Sequence, residues 1–332
     1  SDVYKRQILS VYYVRENNLE RYMEQNSSIL LFSLGSNPTL ANNVANLLGV
    51  NCEKAKVMHF ADGEVFSKPM VSVKGKDIFI IHSTFSPANE RLMELLVFLN
   101  ALRNDDARRI VVFIPYYGYA RQDRVIDEGD PVSALLVSDL LKAAGADKLF
   151  TCDLHSLKVM PKFGIETENL SAMELFANVF KERLTAANVN FNDVTVVSPD
   201  HGGVGRAQAF AALIPGSSFA YADKHRPAPN KAKVLGLHGE VRNKVCILVD
   251  DIIDTAGTMS AVASKLLEDG AKRCWVAATH GVFSGNALER LANAGVSTLM
   301  VSDSIENKNP SISTISVAPL IADAIKREMA AN

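Results

Sequence analysis

From Ile29 almost to the C-terminus the chain repeats one unit, a short apolar run followed by an amphipathic segment. ILLFS precedes a helical pattern from Pro38 to Leu48 that Gly49 stops. DIFIIHS precedes PANERLMELLVFLNALRN, in which Leu92, Leu95, Leu96 and Leu99 recur at helical spacing and Pro87 suits a first turn. RIVVFIP, KLFTCDLHS, VTVVSP, KVCILVDD and RCWVAATH each lead into a helical pattern in the same way. Such alternation builds parallel sheets covered by helices on both faces. At 332 residues the chain exceeds one ordinary core, and about 150 residues per domain predicts two. No linker or low-complexity tract marks the division, which we set between Gly164 and Ser171, giving domains of 29–168 and 169–332. The last helix, from Pro319, can pack on either. Residues 1–28 match no later rhythm and read as an N-terminal appendage.

The polar clusters fall at regular places. HSTFSPANE, PYYGYARQDR, CDLHS, SPDHGGVGR and VDDIIDTAGT all begin where an apolar run ends. Open α/β sheets bind ligands outside the carboxyl ends of their strands, so these five clusters predict a large, polar, phosphorylated ligand. A formal net charge of −2 excludes a general electrostatic footprint for nucleic acid or for an anionic membrane. Any anion must meet a local site. No apolar run approaches the ~18 to 20 residues of a membrane span, and a cytoplasmic location is the expectation. Cys52, Cys152, Cys246 and Cys274 are scattered, with no C-x-x-C pair, and read as reduced core residues.

VDDIIDTAGT carries the most chemistry. KVCILV supplies a buried strand, and Thr255-Ala256-Gly257-Thr258 then enters a helix. Backbone N–H groups and hydroxyls at a positive helix N-terminus suit a phosphate. Asp250 and Asp251 stand too close to the turn to share a phosphate but can accept hydrogen bonds from sugar hydroxyls, so the stretch fits a sugar phosphate held at both ends. An acidic N-cap at Asp254 would account for one carboxylate and leave the other two unexplained. Gly203-Val204-Gly205 has Gln208 at the sixth position, which disfavours a dinucleotide fingerprint, and no G-x-x-x-x-G-K-[ST] occurs anywhere.

VDDIIDTAGT resembles the phosphoribosyl-diphosphate signature of type I phosphoribosyltransferases and of ribose-phosphate diphosphokinases (phosphoribosyl pyrophosphate synthetases, class I-like). FADGE (60–64), PYYGYARQDR (115–124), CDLHS (152–156), SPDHGGVGRA (198–207) and KHRPAPNKAKV (224–234) resemble the synthetase motifs in order, from about Ile29 to the C-terminus. The resemblance implies an α/β fold of two type I phosphoribosyltransferase-like domains, each a mainly parallel sheet flanked by helices. It also implies transfer of the β,γ-diphosphate of ATP to the C1 hydroxyl of ribose 5-phosphate, with Mg2+ as cofactor.

Residue by residue, the resemblance makes Lys224 the leading catalytic residue and Arg226 both a catalytic and a ribose-phosphate contact. It gives ATP to Phe60, Asp62, Gly63, Glu64, Arg121 and Gln122, and ribose 5-phosphate to Asp250, Asp251, Asp254, Thr255, Ala256, Gly257 and Thr258. The metal falls to His155 and Asp200. Phe60, Asp62 and Glu64 would reach the ATP of an adjacent subunit, which makes a homo-oligomer with its active site at a subunit interface part of the expectation. KHRPAPNKAKV, basic and proline-rich, reads as a surface loop.

Two stretches depart from the family. DRVIDEGDP carries one Arg against four acids, and Leu135 stands where many phosphate-responsive members have Lys, which weakens the expectation of phosphate activation. LKVMPKFGIETENL lacks the usual Gln and paired aromatics. A phosphoribosyltransferase, or a non-catalytic synthetase-like subunit, remains the alternative.

Overall fold

A computed structural model describes residues 29–228 and 231–331, with the backbone but not the side chains of residues 224–228 and 231–235. Two sheets organise it. The first has the order β2-β1-β5-β6-β7-β8, from β1 (Ile29–Ser33), β2 (Cys52–Glu53), β5 (Asp77–Ile81), β6 (Arg109–Ile114), β7 (Lys148–Cys152) and β8 (Glu166–Leu170), and every pairing is parallel. DIFII of β5 is buried along its whole length. That is why it reads as a continuous apolar run instead of alternating.

Alternate residues of these strands serve opposite faces. Phe79, Ile81, Val111 and Phe113 meet α1 (Pro38–Leu48) through Leu40, Ala41 and Val44. Ile78, Ile80, Ile110 and Val112 meet α2 (Ala88–Asn104) and α3 (Ser133–Ala144) through Leu95, Phe98, Leu99 and Leu141. Asn37 caps α1 by accepting from the Leu40 N–H at 3.1 Å, and Gly49 ends it at φ 67°. The hairpin of β3 (Ala55–His59) and β4 (Val65–Pro69) forms a separate two-stranded sheet packed on α2.

The second sheet has the order β11-β10-β9-β12-β13-β14-β15: β9 (Val194–Ser198), β10 (Ser218–Ala228), β11 (Lys231–His238), β12 (Val245–Ile253), β13 (Arg273–Gly281), β14 (Val296–Ser302) and β15 (Ser313–Ile315). It is parallel except for the β10–β11 hairpin. Phe176 and Phe180 of α4 (Met173–Ala186) and Phe210 of α5 (Val204–Ala212) cover one face. Residues of α6 (Gly257–Glu268) and α7 (Ala287–Asn293) cover the other. One apolar cluster runs through both domains, and α8 (Ala318–Ala330) returns to the first, where Ile321, Ala322 and Ile325 pack with α1.

β8 stays in the first sheet through Leu170, inside the 164–171 stretch where the division was set. One expectation is corrected. The segment read as a loop, KHRPAPNKAKV, is largely hairpin: Lys224 pairs with Val234, His225 with Lys233 and Ala228 with Lys231. The register shifts between His225 and Ala228, around Pro227, where a residue without an N–H cannot keep the ladder regular. All four thiols are free; Cys152, Cys246 and Cys274 are buried and Cys52 half-buried.

Polar contacts join the two sheets near their carboxyl ends. Ser83 Oγ donates to the Ser304 carbonyl at 2.6 Å, and Thr279 Oγ1 donates to Asp153 Oδ2 at 2.6 Å. His280, fully enclosed, spans the Cys152 carbonyl at 3.0 Å and Ser304 Oγ at 2.8 Å. These bonds fix the two sets of strand ends against each other.

Candidate active site

β12 carries the acid pair within the strand itself, and the chain turns only after Ile253. α6 then starts at Gly257 behind Ala256, which holds φ 57°, ψ 12°. A left-handed alanine is disfavoured by about 1–2 kcal/mol, strain of the kind that collects where a turn must present its amides. Ala256 occupies the N-cap and supplies no capping side chain. Asp254 is therefore not the cap, and its carboxylate turns instead to Arg121 of the other domain, accepting from Nη1 at 2.7 Å.

The acid pair is held by two cations or potential cations. Arg206, in the first turn of α5, places Nη1 2.9 Å from both Asp250 Oδ1 and Asp251 Oδ1. His155 Nδ1 lies 2.7 Å from Asp251 Oδ2. Burial acts to raise the Asp251 carboxyl, but the His155 hydrogen bond and Arg206 outweigh it and hold this acid below the ordinary carboxylate range. Burial and the adjacent Asp251 charge push Asp250 the other way, well above that range. The pair thus behaves as one firm anion beside a more readily protonated partner.

These groups line a cleft of about 830 Å³ that also takes in Arg124, Asp200, the glycines of the SPDHGG turn and the whole of Asp254 to Thr258. Asp200 receives the Gly203 N–H at 3.2 Å, and its carbonyl receives Ser198 Oγ at 2.6 Å. Gly203 has no room for a side chain, since a Cβ there would lie 2.7 Å from Ser198 Oγ. A second cavity of about 350 Å³ is lined by Thr84, Tyr116 to Gln122, Val282 and Ser284. Arg121, Ile252 and Asp254 line both, so the two spaces adjoin.

The structure brings together Arg121, His155, Asp200, Asp250, Asp251, Asp254, Thr255, Ala256, Gly257 and Thr258 in the larger cleft. Gln122 faces the smaller one, its side-chain oxygen accepting from Ser133 Oγ. Phe60, Asp62, Gly63 and Glu64 line neither cavity. They form the exposed turn of the β3–β4 hairpin, with Gly63 at φ 92° and Asp62 Oδ1 receiving the Glu64 N–H at 3.1 Å. Lys224 and Arg226 lie on β10, and their side chains fall outside the described residues. Near the base of that strand, the Tyr221 and His201 rings lie 5.1 Å apart, tying β10 to the SPDHGG turn.

Sequence reasoning missed Arg206 and Arg124. Arg206 had a signal: three carboxylates at one strand end require a cation, and the arginine of SPDHGGVGR was the nearest one with no role.

Two domains of the type I phosphoribosyltransferase fold, meeting at an acid pair and a phosphate-suited turn, define an enzyme of the phosphoribosyltransferase-fold class. Residues 29–145 match the N-terminal domain of ribose phosphate pyrophosphokinase, and residues 220–332 match the phosphoribosyl synthetase-associated domain. The ribose-phosphate pyrophosphokinase of Oceanobacillus iheyensis is 42% identical over 307 residues, 91% of this chain and 95% of that protein. The corresponding protein of Bacillus caldolyticus is 43% identical over 301 residues, 90% and 93% of the two chains. The crystal structure of phosphoribosylpyrophosphate synthetase from Mycobacterium smegmatis superposes with a TM-score of 0.84 at 36% identity, covering 92% of this chain and 100% of that one. The chain belongs to the ribose-phosphate pyrophosphokinase family. Among the described residues no helix is long and apolar enough to cross a membrane.

Proposed function

We propose that the enzyme transfers the β,γ-diphosphate of ATP to the C1 hydroxyl of ribose 5-phosphate, giving 5-phosphoribosyl 1-diphosphate and AMP. One observation carries this reading: the 830 Å³ cleft, with an acid pair and an amide-rich turn at one wall, opens beside a second cavity across the Arg121–Asp254 contact. The sugar's phosphate sits at the Thr255 to Thr258 turn, where N–H groups and the α6 dipole favour an anion. Asp250 and Asp251 accept from the ribose hydroxyls, which places C1 toward Arg121. The nucleotide occupies the smaller cavity, within reach of Arg121 and Gln122. The C1 hydroxyl oxygen then bonds the β-phosphorus and releases its proton to water, as the bond from that phosphorus to the α–β bridging oxygen breaks and AMP leaves. Most of the catalytic work is positioning and charge stabilisation.

Mg2+ would be held by the Asp200 carboxylate, the oxygen donor it prefers, with His155 beside it and ATP oxygens completing its shell. With Nδ1 of His155 engaged by Asp251 Oδ2, Nε2 is the ring nitrogen that would meet a metal, and the Asp200 carboxylate lines the same cleft. Bound there with ATP, the ion would neutralise charge developing on the diphosphate. Lys224 and Arg226, on a strand anchored beside Asp200, are assigned to the diphosphate in transit, with Arg226 also contacting ribose phosphate. Phe60, Asp62, Gly63 and Glu64 serve the ATP of a neighbouring subunit in a homo-oligomer, which accounts for their exposure on this chain. We divide the domains after Leu170 and take the enzyme to act in the cytoplasm.

The test is AMP release from ATP and Mg2+ with and without ribose 5-phosphate. The reading expects one AMP per phosphoribosyl diphosphate, and only when the sugar is present. Sugar-independent AMP, or none at all, would overturn it. Product formation only from phosphoribosyl diphosphate plus a nucleobase would favour a transferase instead.

A further inference from the structure

Away from the cleft, the turn end of the β3–β4 hairpin meets α2 at a group of ligating side chains. Glu90 and Glu94 stand one turn apart on a single face of α2, and His59 ends β3 beside them. His59 Nε2 lies 3.2 Å from Glu90 Oε1 and 3.7 Å from Glu94 Oε1, and the three ligand atoms fall within 4.8 Å of one another. Among the described residues this is the one such group.

Glu90 is exposed beside His59, whereas Glu94 brings a buried carboxylate to the same imidazole. The Glu94 side chain is only 3% exposed, and its two oxygens have different surroundings. Oε2 takes the Arg91 Nη1 hydrogen bond at 3.1 Å and lies 3.8 Å from His82 Nε2, while Oε1 faces His59 Nε2 at 3.7 Å. A carboxylate this buried needs positive charge before its oxygens, and Arg91 supplies it on one side only. Arg91 then acts as the outer partner that orients the carboxylate, as such partners do at metal sites. Glu90 and His59 are partly exposed, which gives an ion a way in and gives both side chains room to contract onto it.

We propose that His59, Glu90 and Glu94 form a divalent transition-metal site that fastens the β3–β4 hairpin to α2. One imidazole and two carboxylates suit Zn2+, with water completing the shell, and suit Mg2+ or Ca2+ poorly because those ions prefer all-oxygen sites. Phe60, Asp62 and Glu64 follow His59 directly, so the ion orders the turn that carries them. Any consequence for catalysis rests on the proposed role of that turn; the binding itself does not.

The experiment uses the full chain carrying His155→Ala, which removes the imidazole of the main cleft. Co2+ is titrated by visible absorption and Zn2+ by calorimetry. One equivalent per chain is expected, and His59→Ala or Glu90→Gln, both at partly exposed positions, should each weaken binding about tenfold or more. Zn2+ should also slow amide hydrogen exchange over residues 60–64, and should not do so in His59→Ala. No saturable binding, or equal affinity in all three proteins, would overturn the site. Binding without slower exchange would overturn the fastening. Activity enters neither measurement, so failure here leaves the proposed reaction standing, and the reverse also holds.

Discussion

The guanidinium of Arg121 and the carboxylate of Asp254 meet at 2.7 Å across the seam between the two domains, each at the border of both cavities. Arg121 lies on the nucleotide side in the proposed reaction and Asp254 on the sugar side, so a triphosphate entering the smaller cavity competes for a cation already in position. Hydrogen bonds to charged groups contribute about 1.5–3 kcal/mol. Arg121→Ala should therefore raise the KM for ATP by about 10- to 100-fold while the KM for ribose 5-phosphate moves much less. Arg121→Lys should recover only part of the loss, because a single ammonium cannot reproduce the planar fork. Steady-state kinetics with each substrate varied decide this; equal effects on both KM values would argue against the assignment.

Arg206 is the counter-charge that the acid pair requires. Its Nη1 serves both aspartates at 2.9 Å, and removing it leaves two adjacent carboxylates with only His155 beside them. Arg206→Ala should cost about 1–3 kcal/mol of stability, the penalty of an unsatisfied buried polar group. It should also raise the KM for ribose 5-phosphate, because the carboxylates would no longer be held for the sugar hydroxyls. Thermal unfolding alongside sugar-dependent kinetics tests both effects. A variant that loses stability but keeps its sugar KM would make Arg206 a purely structural residue.

What the chain revealed before its fold was known follows from how local each feature is. The β-then-α rhythm and the acid pair at a strand end are written in consecutive residues, so the sheets and the Asp250 to Thr258 stretch were legible. The bond from Arg121 to Asp254 spans 133 positions and that from His155 to Asp251 spans 96, and no spacing rule reaches so far. The 224–234 stretch was misread because two prolines and a run of basic residues look like loop, while its two arms pair with each other as an extension of β10 and β11. β8 gave no sequence signal for a related reason: ETENL is polar, and only its neighbour β7 makes it a strand.

Lys224 lies on the hairpin strand anchored beside Asp200. A cation acting on the diphosphate in transit stabilises charge present in the transition state more than in the bound substrate. Losing such a group costs about a hundredfold or more in turnover. Lys224→Ala should lower kcat by at least that factor with a modest change in ribose 5-phosphate KM. Single-turnover measurement of AMP formation separates this from slow product release, and an unchanged rate would remove Lys224 from the chemistry.

His280 predicts how stability depends on pH. It is fully enclosed, and burial lowers its pKa from the ordinary 6.5, partly offset by Asp153 and Asp251. Below pH 6.5 the unfolded chain takes up a proton on this imidazole while the folded protein resists it. The stabilisation is thus complete above 6.5 and is lost as pH falls toward the depressed folded value. Denaturant midpoints should decline from pH 7.5 to 5.5, and the decline should shrink in His280→Gln, whose amide does not titrate. An identical slope in the variant would place the acid sensitivity elsewhere.

The exposure of Phe60, Asp62 and Glu64 leads to a test of shared sites. If each cleft takes its sugar-binding and metal-binding groups from one subunit and this turn from a neighbour, two inactive variants can restore each other. Glu64→Ala disables the turn, and His155→Ala disables the cleft. In a random equal mixture of interlocking subunits, half of the clefts sit on chains with an intact His155, and half of those receive an intact Glu64. About a quarter of the parental activity should then return after the subunits exchange, as symmetric contacts require. The measurement is AMP formation before and after mixed dissociation and reassembly. Activity that stays at the level of the separate variants would mean that each chain completes its own site, and the exposed turn would need another explanation.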